Sequence, residues 1–302
     1  NKNEGAPYEI SAKNFPDDVF RAYVGAYVDL DGDGWLSKEE IRKVTQFGWN
    51  YYYAGYTGEV ISSLKGIEYF DNLGMIEIRN QGSYGETLGL KGQVDLSKNK
   101  GLLEVEVYID SYYNGNNDIL KDESNRLYLS MQELPLLRQF SFRQRNLYRI
   151  DMSGCTALPT LDLWGTLLRY VDASNCTALK TASVSCSSRG RLASYLNEVG
   201  STVDFSGCTA LERLDVGGSV VALDLSGCGA LKELNQMVTT DSMYGFEEIV
   251  LDTNDRFNLD LMPEGFDLSR ASNWQGARIE GNTLVFTGEV LDNWGRNIYY
   301  GC

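Results

Sequence analysis

One nine-residue phrase recurs along the chain and restricts the fold more than any other feature. Ile150 to Leu158 reads Ile-Asp-Met-Ser-Gly-Cys-Thr-Ala-Leu; close copies run from Val171 to Leu179, Val203 to Leu211 and Leu223 to Leu231. An earlier copy, Val94 to Leu102, places Asn99 where the others place Cys155, Cys176, Cys208 and Cys228. Each copy leads into a second extended run, as in Leu158-x-x-Leu161-x-Leu163 and Leu211-x-x-Leu214-x-Val216. The same intervals of three, three and two govern Ile61, Leu64, Ile67, Phe70, Leu73, Ile76 and Ile78. The period is 20 to 21 residues from Leu137 to Leu158, Leu179, and again from Leu211 to Leu231. It lengthens to 32 between Leu179 and Leu211, so an insertion is expected at 187–198; 79–93 and 108–128 also read as insertions. A unit this short cannot bury its own apolar face, and stacking identical units joins the faces into one core.

This spacing resembles the leucine-rich-repeat family, in particular the short-repeat surface proteins of gut bacteria, over residues 8 to about 290. The expected fold is α/β: a leucine-rich-repeat solenoid of short 20–21-residue repeats with a parallel β-sheet. A small helical N-terminal cap at 1–50 precedes the solenoid at 51–260, and a β-rich C-terminal cap follows at 261–302. Each unit holds two extended runs, one ending in the Asn or Cys position and one with the cleaner leucine spacing. The sequence leaves open which of them builds the parallel sheet. Phe246-x-x-Ile249-x-Leu251 reads as one further strand, and Ile279, Leu284, Val285 and Phe286 as strands of the cap.

The recurrent Cys155, Cys176, Cys208 and Cys228 are expected to stack as a buried ladder of reduced thiols. Coils about 5 Å apart would satisfy the Cα separation of a disulfide, but parallel side chains do not offer its bonding geometry. Cys186 and Cys302 fall outside the pattern and take no role from it. The recurrent Asp151, Asp172, Asp204 and Asp224 are expected to hold turns rather than to catalyse.

The N-terminal fifty residues follow a different rule. Asn14-Phe15-Pro16-Asp17-Asp18 reads as a helix start with Asn14 as the cap, and Phe20, Tyr23, Val24 and Tyr27 follow at helical spacing. Next comes Asp29-Leu30-Asp31-Gly32-Asp33-Gly34-Trp35-Leu36-Ser37-Lys38-Glu39-Glu40, then a short helix over Glu39 to Thr45. The loop resembles an EF-hand, which needs oxygen ligands at positions 1, 3, 5, 7, 9 and 12 and a glycine at the sharp turn. The resemblance implies one calcium ion held by Asp29, Asp31, Asp33, the carbonyl of Trp35, Ser37 and a bidentate Glu40. Leu36 would pack inward. EF-hands usually pair; Asp252 to Asp255 starts like a second loop, but Phe257 and Pro263 stand where its glycine and glutamate should be. A lone hand must rest on something else, and the adjoining repeats are the nearest surface. The reading is a metal-dependent cap.

Composition limits what such a chain does. It contains no histidine, which removes the commonest general base and most zinc sites. No phosphate-binding loop, nucleophile elbow or zinc spacing occurs, and no cofactor other than Ca2+ is implied. A net charge of -15 repels nucleic acid and anionic lipid and suits a basic partner. No apolar run approaches the roughly 20 residues of a membrane helix. Asn1-Lys2-Asn3-Glu4 carries no export signal, so the chain is either cytosolic or exported with its signal removed. The expected function is an extracellular or cell-surface recognition module: monomeric, calcium-stabilised and non-catalytic, with a macromolecular partner met by outward side chains and the inserted loops. Millimolar calcium outside cells fills even a weak EF-hand. The alternative is a glycan-binding module using Tyr51, Tyr52, Tyr53, Tyr56, Tyr112 and Tyr113.

Overall fold

The computed structural model describes residues 7–50, 60–80, 89–109, 118–165, 167–186, 200–218, 220–236, 238–239, 256–258, 272–275, 277–287 and 297–301. The six tyrosines just named, most of the three insertions, the strand expected at Phe246 to Leu251 and Cys302 lie outside these residues. The chain divides into two compact units, Asn1–Ala157 and Leu158–Cys302.

The first unit opens with β1 (Tyr8–Glu9), α1 (Asp18–Tyr27), β2 (Trp35–Leu36), α2 (Lys38–Lys43) and β3 (Gln46–Asn50). The coils supply β4 (Met75–Asn80), β5 (Gly92–Asp95), β6 (Glu104–Ile109), a short α3 (Asp118–Lys121), β7 (Leu127–Ser130), β8 (Gln139–Arg143) and β9 (Leu147–Asp151). Strands β3, β4, β6 and β8 pair in parallel, with Phe47, Ile76, Val105 and Phe140 as one buried row. Strands β5, β7 and β9 form a second parallel sheet, with Val94, Leu129 and Ile150 in register. Both extended runs of each repeat are therefore strands, and each builds its own sheet.

The second unit repeats this plan. Its strands are β10 (Thr160–Trp164), β11 (Tyr170–Asp172), β12 (Thr181–Ser185), β13 (Ser201–Asp204), β14 (Arg213–Gly217), β15 (Val220–Asp224) and β16 (Glu233–Gln236). Leu161, Ala182, Leu214 and Leu234 align across one parallel sheet, and Val171, Val203 and Leu223 across the other. The insertion after Cys186 leaves this register intact, because its extra residues enter between strands of different sheets. Parallel pairing ends at β16. The remaining strands are β17 (Val238–Thr239), β18 (Arg256–Asn258), β19 (Ser272–Gln275), β20 (Ala277–Glu280), β21 (Thr283–Phe286) and β22 (Asn297–Gly301), and they pair antiparallel as β17-β22-β19 and β18-β21-β20.

The repeated phrase is the corner between the two sheets. Its aspartate accepts the backbone N–H two residues on: Asp95 from Ser97, Asp151 from Ser153, Asp172 from Ser174, Asp204 from Ser206 and Asp224 from Ser226. The residue after the serine turns left-handed, at φ 72° for Gly154, 58° for Asn175, 73° for Gly207 and 81° for Gly227. Such backbone favours Gly and Asn, which explains those two residue types in the phrase. The next residue is the buried slot. Asn99 donates through Nδ2 to the carbonyls of Ile67 and Phe70, 2.9 and 3.2 Å away. In the same way Cys155 Sγ donates to Met131 O, Cys208 Sγ to Ala173 O and Cys228 Sγ to Phe205 O, at 3.1–3.3 Å. Asn99, Cys155, Cys208 and Cys228 thus each bond a buried carbonyl of the preceding coil. None of the five described cysteines forms a disulfide, and all five are buried.

Three local expectations change. The coil over Leu129 to Leu137 is a copy of the phrase that the sequence concealed, with Glu133 at φ 53° in the turn and buried Leu134 in the slot. Helix α1 is capped by Asp17, whose Oδ1 accepts from Phe20 N at 2.9 Å. Asn14 instead donates its side-chain amide to Glu9 O, and the helix begins three residues later than a cap at Asn14 would put it. Helix α2 ends at Lys43, because Val44 already has extended ψ.

Candidate metal centre

The acidic loop lies between α1 and α2, and its shape is set by its own carboxylates. Asp29 Oδ1 accepts from the N–H groups of Gly32 and Asp33, and Oδ2 from Gly34, wrapping the backbone around one side chain. Gly32 and Gly34 take φ of 69° and 82°, where a Cβ would strain the turn. Asp31 accepts from Asp33 N, and Asp33 from Trp35 N. At the far end Ser37 caps α2 in a reciprocal box with Glu40. Glu40 Oε2 takes both the N–H and the hydroxyl of Ser37, while Oε1 crosses the loop to Leu30 N at 2.8 Å.

One carboxylate oxygen each of Asp29, Asp31 and Glu40 therefore lies within 4.8 Å of the other two. Two oxygens each about 2.4 Å from one Ca2+ stand at most about 4.8 Å apart, so this trio fits the reach of a single hard cation. The donors are all oxygen, which suits Ca2+ over softer metals. Of the remaining loop residues, Asp33 is turned to Trp35 N, Ser37 to Glu40, and Trp35 lies in β2. Partial burial would lift the Glu40 carboxyl. Hydrogen bonds from the Ser37 hydroxyl and N–H and from the N–H groups of Leu30 and Asp31 outweigh that and hold it below the ordinary glutamate range. It is poised as an anion at neutral pH.

The edge of the loop at Trp35 and Leu36 is paired by an upstream segment. Strand β1 pairs antiparallel with β2, Tyr8 opposite Leu36 and Glu9 opposite Trp35, and Ile10 N donates to Gly34 O at 2.9 Å. No sequence pattern marks this two-residue strand, which is visible only in the pairing. The apolar side of this N-terminal segment rests on the first coil. Phe15, Phe20 and Leu36 are fully buried; Phe20 and Tyr23 meet Phe47 edge-on, Phe15 stacks on Phe70, and Tyr8 stacks on Tyr69. Asp17 Oδ2 accepts from Ser62 N, Ser62 Oγ and Ser63 N, tying the helix start to the same coil.

No protein-family model matches the chain, and no curated protein sequence matches it. The chain is similar to a solved structure, the functional domain of InlJ from Listeria monocytogenes, which includes a cysteine ladder. Identity is 17%, 75% of this chain and 63% of that chain are covered, and the TM-score is 0.29. The chain thus spans less than two thirds of that structure, and the repeat fold rests on the parallel registers rather than on this likeness. Among the described residues no helix is long and apolar enough to cross a membrane.

Proposed function

We propose that the chain is a non-catalytic recognition module of the cell exterior, whose N-terminal hand holds one Ca2+ and whose coils present side chains to a macromolecular partner. The observation that carries the calcium reading is the meeting of Asp29, Asp31 and Glu40 on a hand already docked by its apolar back. Asp33, Ser37 and the Trp35 carbonyl complete the ligand set by small movements of their own loop. Bringing carboxylates together without a cation costs Coulomb energy, and a divalent ion removes it. The ion would therefore act as a clamp on the N-terminal end of the first unit. Recognition is supported by the build of the coils: buried positions are committed to the core, and the alternate positions face outward in rows.

Calorimetric titration of the intact chain with CaCl2 should show uptake of one ion. A ligand that binds only the folded state at 100 times its Kd adds about 2.7 kcal/mol, so chelation should lower the melting temperature and Glu40→Ala should reproduce that loss in calcium. Absence of heat and of any Ca2+-dependent melting shift would end the calcium reading. Capture of partners from extracts, with and without calcium, tests the recognition reading separately.

A further inference from the structure

The outward face of β10, β12, β14 and β16 has an unusual make-up. The register gives three rows: Thr160, Thr181, Arg213 and Glu233; Asp162, Ser183, Asp215 and Asn235; and Trp164, Ser185 and Gly217. Trp164 is half exposed and is the one large apolar side chain on this face. On the side of β12 and β14 its neighbours are Ser185 and then Gly217. Where other aromatics of this protein stack on one another, as Phe140 does on Phe142, Trp164 makes no ring contact among the described residues. Beyond it lies a floor without bulky side chains, two interstrand steps or about 10 Å long. Beside that floor stand the Ser183 and Ser185 hydroxyls and two carboxylates. Asp215 is engaged by Arg213 and Asn235. Asp162 makes no side-chain hydrogen bond or ion pair among the described residues and is exposed, so both its oxygens can accept.

Resting on the recognition reading above, we infer that this face binds a neutral glycan, with Trp164 as the stacking platform for one sugar ring and Asp162, Ser183 and Ser185 as hydrogen-bond partners of its hydroxyls. An indole offers a flat apolar surface to the C–H face of a pyranose, and carboxylate and hydroxyl groups match ring hydroxyls that both donate and accept. A protein partner fits less well. Standard protein interfaces bury about 800 Å² per side around an apolar centre, and here one aromatic stands among polar side chains. Charge selects within glycans: Asp162, Asp215 and Glu233 against Arg213 leave the face negative, which disfavours uronates and sulfated sugars. The open floor accommodates a chain running across the strands from Trp164 over Ser185 towards Gly217.

The test is native affinity electrophoresis of the intact chain in calcium, in gels cast with soluble starch, mixed-linkage β-glucan, galactomannan or yeast mannan, and with polygalacturonate and heparin as anionic controls. At least one neutral polymer should retard the protein. Trp164→Ala should weaken that retardation at least tenfold and Trp164→Phe less, while Asp162→Asn gives an intermediate loss; circular dichroism melting checks that each variant folds. Retardation by none of the neutral polymers, by the anionic ones alone, or equally for wild type and Trp164→Ala overturns the assignment. Loss of a captured protein partner in Trp164→Ala, with no glycan retained, would overturn it too while leaving the recognition reading intact. The calcium titration does not involve this face, so its failure is separate.

Discussion

At the scale of single residues, the slot between the sheets is where chemistry and packing meet. Asn99 satisfies two carbonyls of the preceding coil but leaves its own Oδ1 buried without a partner. A thiol in that place donates one bond and brings no such acceptor. Asn99→Ala removes both bonds while Ile67 O and Phe70 O keep the backbone N–H groups of Phe70 and Leu73, so at about 0.5–1.5 kcal/mol per bond it should destabilise by about 1–3 kcal/mol in denaturant melts. Asn99→Cys, which restores the residue of the later coils, should cost clearly less; equal losses for the two variants would refute the account. The cysteines themselves are protected by burial, which pushes Cys155 and Cys228 up to about 11 and Cys186 to about 12, from an ordinary 9.0. A thiol raised in the folded state lends stability that is whole below the unfolded value and is lost as pH climbs through the folded one. Melting temperature should therefore decline between pH 9 and 12. Iodoacetamide at pH 8 should leave these thiols unlabelled in the native chain and label them after unfolding.

At the scale of elements, much was legible and the reasons for the rest are specific. The apolar intervals placed both strand rows, because each inward residue recurs at a fixed offset from the phrase. They did not show that both rows form sheets, since that depends on pairing between coils rather than on the pattern within one. The copy at Leu129 to Leu137 escaped notice because Glu133 replaces the turn glycine and Leu134 the slot cysteine; its backbone is held by neighbours, as in Glu133 N to Ser153 O at 2.8 Å. In the acidic loop, Ser37 and Glu40 were expected only as metal ligands, and the structure adds the capping box they form. The strand β1 was not readable, because two residues carry no periodicity. The aspartates of the phrase hold turns, as their recurrence suggested. The hand's attachment to the coil is a packing matter and can be probed there. Phe20 is fully buried against Phe47, and replacing a buried phenylalanine by alanine costs about 3–5 kcal/mol. Phe20→Ala should lower the melting temperature by the same amount in calcium and in chelator, whereas Glu40→Ala, beyond the loss of its box with Ser37 and its bond to Leu30 N, should cost more in calcium than in chelator. If both variants respond identically to chelation, the hand's docking and its loop are not separable.

At the scale of the whole molecule, cohesion is local. Within each unit neighbouring coils are joined by ladder hydrogen bonds, by buried slot residues such as Asn99 and Cys208, and in places by ion pairs such as Arg79–Glu106, Arg138–Glu104 and Lys232–Glu212, of which the ion pairs are worth least. Stability in such a stack is close to a sum over neighbouring coils, and its ends are where strands lack partners. The hand meets this need at the first coil, and antiparallel strands replace parallel ones after β16. The pairing of β1 with β2 adds a consequence for response to the environment. In a paired arrangement, one loop's occupancy can alter its neighbour's affinity across the shared strands. Here Tyr8 and Glu9 occupy that edge, so on the calcium reading proposed above the loop meets no second loop across it among the described residues. Saturation is then a plain hyperbola spread over roughly two decades of concentration, which is the behaviour of a fixed rivet rather than of a trigger.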